Sequence, residues 1–223
     1  MTQVLRALDA RETPVGEIVD EAARVVFSGG LVIFPTDTVY GIGCDPYDTG
    51  AVDKIYGSKR RPDSKPLTFH LGSVPEFLEF ARDNPLAVLA AKRLLPGPVT
   101  LIVRRPAWVS DEITSGFPTL GFRVPDDELC RAILDRCGPL ATTSANISGS
   151  QAYRGDGDRE QLPPADLLIE NGPTKYRLES TVIDLTGPQP RVLREGVVTV
   201  EELTEKLGQV VRPVVKERKA EQP

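Results

Sequence analysis

The chain has 223 residues, 40% of them hydrophobic and 26% charged, which is the composition of a globular protein that can bury one full core. Its net charge of -5 argues against a protein whose main task is to coat nucleic-acid phosphates, and its single histidine excludes a multi-histidine metal site. No apolar run is long enough to span a membrane, and residues 1–12 lack the apolar core of a signal peptide, so we expect no membrane association. The three cysteines, Cys44, Cys130 and Cys137, have no zinc-like spacing, which predicts reduced thiols and a cytoplasmic location.

Helices and strands are predicted from the period of the apolar residues and from capping signals. The helices are expected at 14–28 with Thr13 as N-cap, 48–56, 73–82, 86–95, 126–137 with Asp126 as N-cap, and 199–207. The strands are expected at 31–34, 67–71, 99–103, 120–124, 140–143, 167–170, 180–185 and 191–193. Capping boxes at 73–76 and 199–202 mark the starts of two helices. Because helices and strands alternate, the sequence predicts an α/β domain without internal repeats.

The other candidate segments are arranged around residues 29–44, GGLVIFPTDTVYGIGC. An apolar strand ends at Pro35 and is followed, in a glycine-flanked turn, by Thr36, Asp37, Thr38 and Tyr40. A buried strand that delivers polar side chains into a turn can build a ligand site on a rigid scaffold. The same pattern also fits a strand exit whose hydroxyl groups bond the local backbone. The residues alone leave both interpretations open.

A basic stretch follows the second predicted helix. Lys59, Arg60, Arg61 and Lys65 stand in an otherwise acidic chain, and prolines stiffen the segment before it enters a strand. Such a cluster suits the oxygens of a phosphate chain. A solvated surface charge run is the commoner explanation of a cluster of this kind.

A second polar segment, TTSANISG at 142–149, follows a short apolar strand. Small hydroxyl and amide groups at the carboxyl end of a strand can pair with a polar ligand. The alternative is a turn whose residues bond their own backbone. The segment matches neither a Walker loop nor GxSxG, so Ser144 is not expected to be a hydrolytic nucleophile. The polar, glycine-rich and proline-rich residues 149–164 predict a loop that could be mobile.

Four further positions are candidates for a site. Ser180 opens a strand, and Arg194 follows the next one; either could equally be a polar strand end or a surface residue. His70, in the strand LTFHL, is best explained as a buried structural histidine when it is considered alone. Arg123 lies inside the apolar strand LGFRVP, where an unpaired guanidinium would be costly. It therefore needs an anionic partner, either a protein carboxylate or a bound ligand.

Taken together, the segments GLVIFPTDTVYGIGC, KRRPDSKPLTFHL, GFRVPDD, TTSANISG, STVID and LREG resemble the YrdC/Sua5 family of threonylcarbamoyl-AMP synthases in order and approximate spacing. The resemblance covers residues 15–207. It implies a twisted, mostly mixed α/β sheet flanked by helices, with a large basic central cavity. It also implies a single-domain, bacterial-type member with one domain over 1–208. The residues after it form a predicted tail over 209–223, and the charged residues from about position 214 predict that the tail is partly disordered.

The resemblance implies an enzyme, a nucleotidyltransferase that converts L-threonine, bicarbonate and ATP to L-threonylcarbamoyladenylate and pyrophosphate. A threonylcarbamoyl transferase machinery then moves the threonylcarbamoyl group to adenosine 37 of tRNAs that read ANN codons, giving t6A. Carried over by motif, the L-threonine contacts would be Thr38, His70, Arg123, Thr142 and Ser180. The ATP contacts would be Lys59, Arg61, Lys65, Thr119, Ser144, Ala152 and Arg194, with Thr119 and Ala152 the weaker assignments. Lys65 stands where many relatives have asparagine, which makes its contact less secure than that of Arg61.

The chemistry of these residue types fits that reaction. Carbamoylated threonine is a carboxylate that must attack the α-phosphorus of ATP, so two anions must be brought together. Clustered Arg and Lys with Mg²⁺ would neutralise them while pyrophosphate leaves, and no side chain need act as a covalent nucleophile. Residues 149–164 are a candidate lid over the products.

Two other functions remain open from the sequence. One is a non-catalytic RNA-binding member of the same fold, against which the acidic balance weighs, although weak RNA binding is compatible with it. The other is a related carbamoyl-adenylate enzyme with another acceptor, as in hydrogenase maturation, but this chain has no cysteine pattern for the zinc-finger regions of those proteins.

Overall fold

The computed structural model describes residues 2–7, 13–59, 65–157 and 159–213. Within them the strands form a single sheet of 11 strands. In chain order these are β1 (Gln3–Arg6), β2 (Val32–Phe34), β3 (Gly41–Cys44), β4 (Thr68–His70), β5 (Val99–Arg104), β6 (Thr119–Arg123), β7 (Leu140–Ser144), β8 (Leu167–Glu170), β9 (Thr181–Asp184), β10 (Arg191–Arg194) and β11 (Arg212–Pro213).

The helices alternate with these strands. They are α1 (Val15–Phe27), α2 (Thr49–Lys59), α3 (Val74–Ala81), α4 (Pro85–Leu94), α5 (Asp111–Thr114), α6 (Glu128–Cys137) and α7 (Val200–Leu207). None of the helices in the described ranges is long and apolar enough to cross a membrane.

The sheet is mixed, with the spatial order β1-β8-β2-β3-β7-β4-β6-β5-β9-β10-β11. In its middle, β4 pairs antiparallel with β7 and parallel with β6, and β5 pairs antiparallel with β6 and parallel with β9. The predicted α/β class with a mixed sheet flanked by helices is therefore confirmed.

The two faces of the sheet pack against different helices, because side chains alternate along each strand. On β2, Ile33 belongs to the larger core cluster, which includes residues of α2, α3, α4 and α7. Its neighbours Val32 and Phe34 belong to a smaller cluster with α1 and α6.

The position of the cavity follows from this arrangement. Phe69 of β4, Leu101 of β5 and Phe122 of β6 face the larger cluster. The intervening residues, such as His70 and Arg123, therefore point to the other face, where they line a cavity beside the smaller cluster instead of packing under a helix.

Two predicted N-caps are wrong by one residue. The cap of α1 is Pro14 rather than Thr13 and makes no side-chain capping bond, and the cap of α6 is Asp127 rather than Asp126, because the Asp127 carboxylate accepts from the backbone N–H of Cys130 at 2.8 Å. Asp126 instead forms an ion pair with Lys175. At the start of α7, the capping box of Thr199 and Glu202 is complete, as predicted.

At α3 only half of the predicted capping box forms. Ser73 accepts from the N–H of Glu76, whereas the Glu76 carboxylate accepts from Gly72 rather than from Ser73. The N-terminus of this helix is therefore correctly placed, but its reciprocal bond is shifted by one residue.

The sequence analysis missed three strands and a short helix. The turn predicted after β2 is present at 35–40, but the glycines that follow it lie in the missed strand β3, which is paired on both sides by β2 and β7. The strands β1 and β11 and the helix α5 were also missed. Since β11 pairs with β10, the ordered domain continues past residue 208, and the tail predicted from about residue 214 lies outside the described residues.

Candidate functional site

A cavity of about 550 Å³ lies over the central strands of the sheet. Its charged lining residues, within the part of the chain that the structure describes, are Lys59, Lys65, Arg123 and Arg194 on the cationic side and Glu179 on the anionic side. Hydroxyl and amide side chains supply most of the remaining polar lining. The cavity therefore offers cations and hydrogen-bonding groups to a polar, anionic ligand.

One wall of the cavity is built around the guanidinium of Arg123, of which only 4% of the side chain is exposed. It donates to the carboxylate of Asp37, to the hydroxyl of Thr38 at 2.6 Å and to the carbonyl of Gly97 at 3.2 Å. Burial lowers the pKa of Arg123, and the Asp37 carboxylate opposes that shift. Arg123 thus has the anionic partner that its sequence context required, and the partner present in the structure is a protein carboxylate.

The turn after β2 holds Asp37 and Thr38 in place. The hydroxyl of Thr36 donates to the carbonyl of Val39 at 2.7 Å and accepts from the N–H of Thr38 at 3.1 Å. Thr174 secures the turn from outside through a bond to the Thr38 carbonyl at 2.6 Å. Thr36 therefore shapes the turn, while Thr38 presents its hydroxyl to Arg123.

His70 lies beside Arg123 because the two are partners in the parallel β4–β6 register. Its side chain is 7% exposed, and Nδ1 has no hydrogen-bond partner among the described residues. Burial and the adjacent Arg123 hold the pKa of His70 well below its usual value, so the imidazole is neutral. A neutral ring can accept a hydrogen bond from a ligand.

Lys59 ends α2 inside the protein, at 1% exposure. Its ammonium donates to the carbonyl oxygens of Ser144 and Asn146 and to the Asn146 side-chain oxygen. These acceptors match the three donors of an ammonium group. In this structure Lys59 therefore orders the SANIS turn from within while it lines the cavity.

The opposite rim of the cavity carries Arg194, which donates to the Ser180 carbonyl at 2.9 Å and to the Ser180 hydroxyl at 3.2 Å. Glu179 forms an ion pair with Arg194 at 3.0 Å, and both side chains are nearly half exposed. Gly196 permits this packing, since a Cβ there would lie 2.2 Å from the Glu179 carbonyl. The LREG segment thus fixes a long, flexible side chain against the start of β9.

The structure brings most of the candidate residues together. All five predicted threonine contacts line the cavity, as do four predicted ATP contacts: Thr38, His70, Arg123, Thr142, Ser180, Lys59, Lys65, Ser144 and Arg194. Thr119 and Ala152, the weaker assignments, are not among its lining residues. Arg61 lies outside the described residues. The role of each residue in ligand binding stays a prediction.

The lining residues that the sequence analysis missed include Thr68, Thr100, Gly121 and Glu179. The signal for Thr68 was available, because it stands two residues before His70 and alternate residues of a strand share a face. The Thr100 hydroxyl lies 2.9 Å from the Ser180 hydroxyl, a contact between positions 80 apart that local patterns do not reveal.

The described part of the loop at 149–164 is tied to the rest of the protein. Tyr153 bonds both Tyr40 and Ala145 through its backbone, and its hydroxyl donates to Glu170 at 3.2 Å. Arg159 forms an ion pair with the same carboxylate at 2.5 Å. Gly155 has φ +89, and a Cβ there would meet the Gly172 carbonyl. Movement of this loop as a lid would require these contacts to break, and the lid stays a prediction.

The described residues contain no group of three His, Cys, Asp or Glu side chains able to hold a metal ion. Glu179 is the single carboxylate in the described lining of the cavity. Mg²⁺ binds commonly through one or two carboxylates and the phosphates of a substrate. The described lining thus offers one carboxylate, Glu179, to a cation that arrives with a phosphate ligand.

Comparison with known proteins finds related sequences and structures that belong to one family. The Sua5/YciO/YrdC family model, described as telomere recombination, matches residues 24–196. The threonylcarbamoyl-AMP synthase of Pyrococcus abyssi is 36% identical over 199 residues, which cover 87% of this chain and 58% of that protein. A putative threonylcarbamoyl-AMP synthase of Methanocaldococcus jannaschii is 31% identical over 203 residues, which cover 90% of this chain and 96% of that protein. The crystal structure of P. abyssi Sua5 complexed with L-threonine matches with a TM-score of 0.80 and 31% identity, over 95% of this chain and 62% of that one.

Proposed function

Since this chain belongs to the Sua5/YciO/YrdC family, we propose that it is a threonylcarbamoyl-AMP synthase. The proposed reaction consumes L-threonine, bicarbonate and ATP and yields threonylcarbamoyl-AMP and pyrophosphate. The chain spans 58% of the length of the P. abyssi relative, so the activity is argued from the cavity itself. The observation that carries it is a buried arginine with unused donors in a cavity that other cations also line.

The threonine end of the cavity is centred on Arg123. Of the five N–H groups of a guanidinium, three are bonded to Gly97, Thr38 and Asp37. One N–H on each terminal nitrogen has no acceptor among the described residues. A ligand carboxylate can therefore pair with Arg123 without displacing Asp37, and Asp37 keeps the guanidinium in one orientation.

The ATP end would use the cations nearer the rim. Lys65 and Arg194 line the cavity, and Arg61 stands four positions before Lys65 in the sequence. Ser144 presents a hydroxyl beside Lys59. We assign the phosphates of ATP to this group of residues, with Mg²⁺ carried on the phosphates.

Catalysis in this proposal is positional and electrostatic. The carbamate of threonine and the α-phosphate of ATP are both anions, and cationic side chains lower the cost of bringing them together. Arg123 orients the amino acid, and the rim cations stabilise the charge that develops on the departing pyrophosphate. The product would serve a transferase that modifies adenosine 37 of tRNA in the cytoplasm.

The decisive experiment is to incubate the purified chain with L-threonine, bicarbonate and ATP and to measure pyrophosphate. We expect pyrophosphate release that requires both threonine and bicarbonate, with a product of the mass of threonylcarbamoyl-AMP. Pyrophosphate released without threonine would contradict the proposal. Salt-sensitive tRNA binding without any turnover would instead favour a non-catalytic RNA-binding protein.

Two variants separate the ends of the site. Arg123→Ala should weaken the use of threonine more than the binding of ATP, and Arg61→Ala should do the reverse. Arg104→Ala is the matched control, because Arg104 is an exposed arginine that does not line the cavity. Full activity in both Arg123→Ala and Arg61→Ala would refute this assignment of the site.

A further inference from the structure

The floor of the cavity between the two proposed ligand ends is made by β4, β6 and β5. Gly121 of β6 is the register partner of Thr68 on β4 and of Ile102 on β5. A Cβ at Gly121 would lie 3.3 Å from the Thr68 hydroxyl oxygen and 3.2 Å from the Thr100 methyl group. A glycine inside a central strand often marks a place where another group approaches the backbone closely. Here the open backbone is flanked by two threonines.

Gly121 and its register partner Thr68 lie two residues before Arg123 and His70, which belong to the cavity wall around the Arg123 guanidinium. Residues two apart on a strand share a face and are separated by about 6.6 Å. Thr68 therefore precedes His70 on the cavity side of β4, and Gly121 precedes Arg123 on the same side of β6. On the other side of this row, Lys65 and Ser144 lead towards the rim. Thr68 and Gly121 thus lie between His70 and Arg123, which are assigned to the amino acid, and Lys65 and Ser144, which are assigned to ATP.

The carbon of bicarbonate, which becomes the carbamate carbon, must lie over Thr68 and Gly121. In a carbamoylated amino acid the carbamate carbon is joined to the carboxylate carbon through only the nitrogen and Cα. With the carboxylate on Arg123, the carbamate therefore lies within one strand step of it, on the side of the α-phosphate. We propose that Gly121, Thr68 and Thr100 form the subsite for bicarbonate and for the carbamate made from it, an inference that rests on the proposed function.

The polar groups at this row suit a small planar oxyanion. The Thr68 hydroxyl has no hydrogen-bond partner among the described residues and can donate to an oxygen. His70 is more than nine-tenths buried beside it, and its Nδ1 is likewise without a partner in the described part of the chain. Thr100 is held in place by its contact with Ser180. The row can thus offer hydrogen bonds to the oxyanion without an ionised group of its own.

A neutral floor also suits the chemistry that follows. The carbamate oxygen must attack phosphorus, and a full positive charge directly on that oxygen would stabilise the ground state and lower its reactivity. Hydroxyl groups hold the anion while leaving the stronger cations for the phosphates. The subsite thus separates orientation of the nucleophile from stabilisation of the leaving group.

Two bond exchanges make up the reaction at this subsite. The threonine ammonium loses one proton to solvent, and the amine nitrogen forms a bond to the carbon of bicarbonate. A carbon–oxygen bond of bicarbonate breaks and water leaves, which gives the carbamate. A carbamate oxygen then forms a bond to the α-phosphorus of ATP, and the bond from that phosphorus to the oxygen of pyrophosphate breaks.

The test uses Thr68→Val, which keeps the shape of the side chain and removes its hydroxyl. We expect the KM for bicarbonate to rise about tenfold, the factor that the loss of one good hydrogen bond to an anion produces. Calorimetric binding of L-threonine alone and of ATP alone should change by less than about twofold, since neither binding requires the subsite. Thr49→Val is the matched control, because Thr49 is exposed at the start of α2 and does not line the cavity.

Gly121→Ala provides the second variant, since its methyl group would fill the floor at contacts of 3.2 and 3.3 Å. We expect loss of turnover at ordinary bicarbonate concentration, recovered in part at saturating bicarbonate, with the melting temperature measured as a check on folding. An unchanged bicarbonate KM in Thr68→Val would overturn the subsite even if Gly121→Ala were inactive. If the wild-type chain released no threonine-dependent pyrophosphate, the proposed function would fail first, and that outcome is distinct from an active enzyme with an unaltered bicarbonate KM.

Discussion

Two arginine–carboxylate pairs line or flank the same cavity in very different surroundings. At the inner wall Arg123 pairs with Asp37, with exposures of 4% and 0% for the two side chains. At the rim Arg194 pairs with Glu179, with exposures of 46% and 44%. The residue types are nearly the same, and the main difference is access to water.

This difference separates two ways of preparing an anion site. A buried guanidinium must be neutralised by the protein before any ligand arrives, because an unpaired buried charge is costly. The rim arginine is stabilised by water as well as by Glu179, so it can exchange its carboxylate for a phosphate at little cost. The inner pair therefore fixes geometry, and the rim pair supplies adaptable charge.

The largest effect is expected from Arg123→Ala. It removes the partner of Asp37 and leaves a buried carboxylate, which should lower the free energy of unfolding by about 3–5 kcal/mol. Urea denaturation measures this change. A loss below about 1 kcal/mol, the range expected for an exposed pair, would contradict the difference between the buried pair and the rim pair.

The matched control is Arg194→Ala, which makes the same substitution at the rim and should cost less than about 1 kcal/mol. The double variant Asp37→Asn with Arg123→Met should recover part of the stability lost in Arg123→Ala, because it removes the buried charge along with its partner.

Part of this arrangement follows from the sequence. A guanidinium inside LGFRVP has to be paired wherever the strand packs, so its need for an anion was predictable. The partner was not predictable from pattern, because Asp37 is 86 positions away in the chain. Its contact depends on the β2–β3 turn lying above β6, which is a property of the assembled sheet.

The missed strand β3 has a similar cause. Gly41 and Gly43 weaken the local preference for a strand, and the sequence GIGC is typical of a turn. In the sheet, β3 gains bonds from β2 on one side and β7 on the other, and these override the local preference. By contrast, apolar strands such as Leu167–Glu170 were predicted correctly because local pattern and tertiary packing agree.

The dependence of stability on pH tests whether the buried end of the cavity excludes a charged histidine. His70 is the single histidine of the chain, and its pKa is held well below 6.5 by burial and by Arg123. The unfolded chain binds a proton at His70 below about pH 6.5 while the folded protein does not, so stability falls as the pH decreases through that range. The expected slope reaches about 1.4 kcal/mol per pH unit.

Urea denaturation between about pH 7 and pH 5 tests this expectation, since most carboxylates titrate below that window. His70→Gln should flatten the slope in the same window. An equal slope in the variant would mean that the buried end of the cavity does not exclude the imidazolium ion, and the contrast with the rim would be lost.

The smallest effect is expected from Glu179→Gln at the rim. The change removes the carboxylate that competes with phosphate for Arg194, while the bonds from Arg194 to Ser180 remain available to hold its side chain. We expect the KM for ATP to fall by up to about fivefold, as an exposed ion pair is worth at most about 1 kcal/mol. Threonine binding and the unfolding free energy should change little, because the buried pair is untouched. Glu195→Gln is the control for net charge, since Glu195 is exposed nearby and does not line the cavity. A rise in the KM for ATP specific to Glu179→Gln would show that this carboxylate helps to hold the nucleotide, so the rim pair would fix geometry in the same way that the inner pair does.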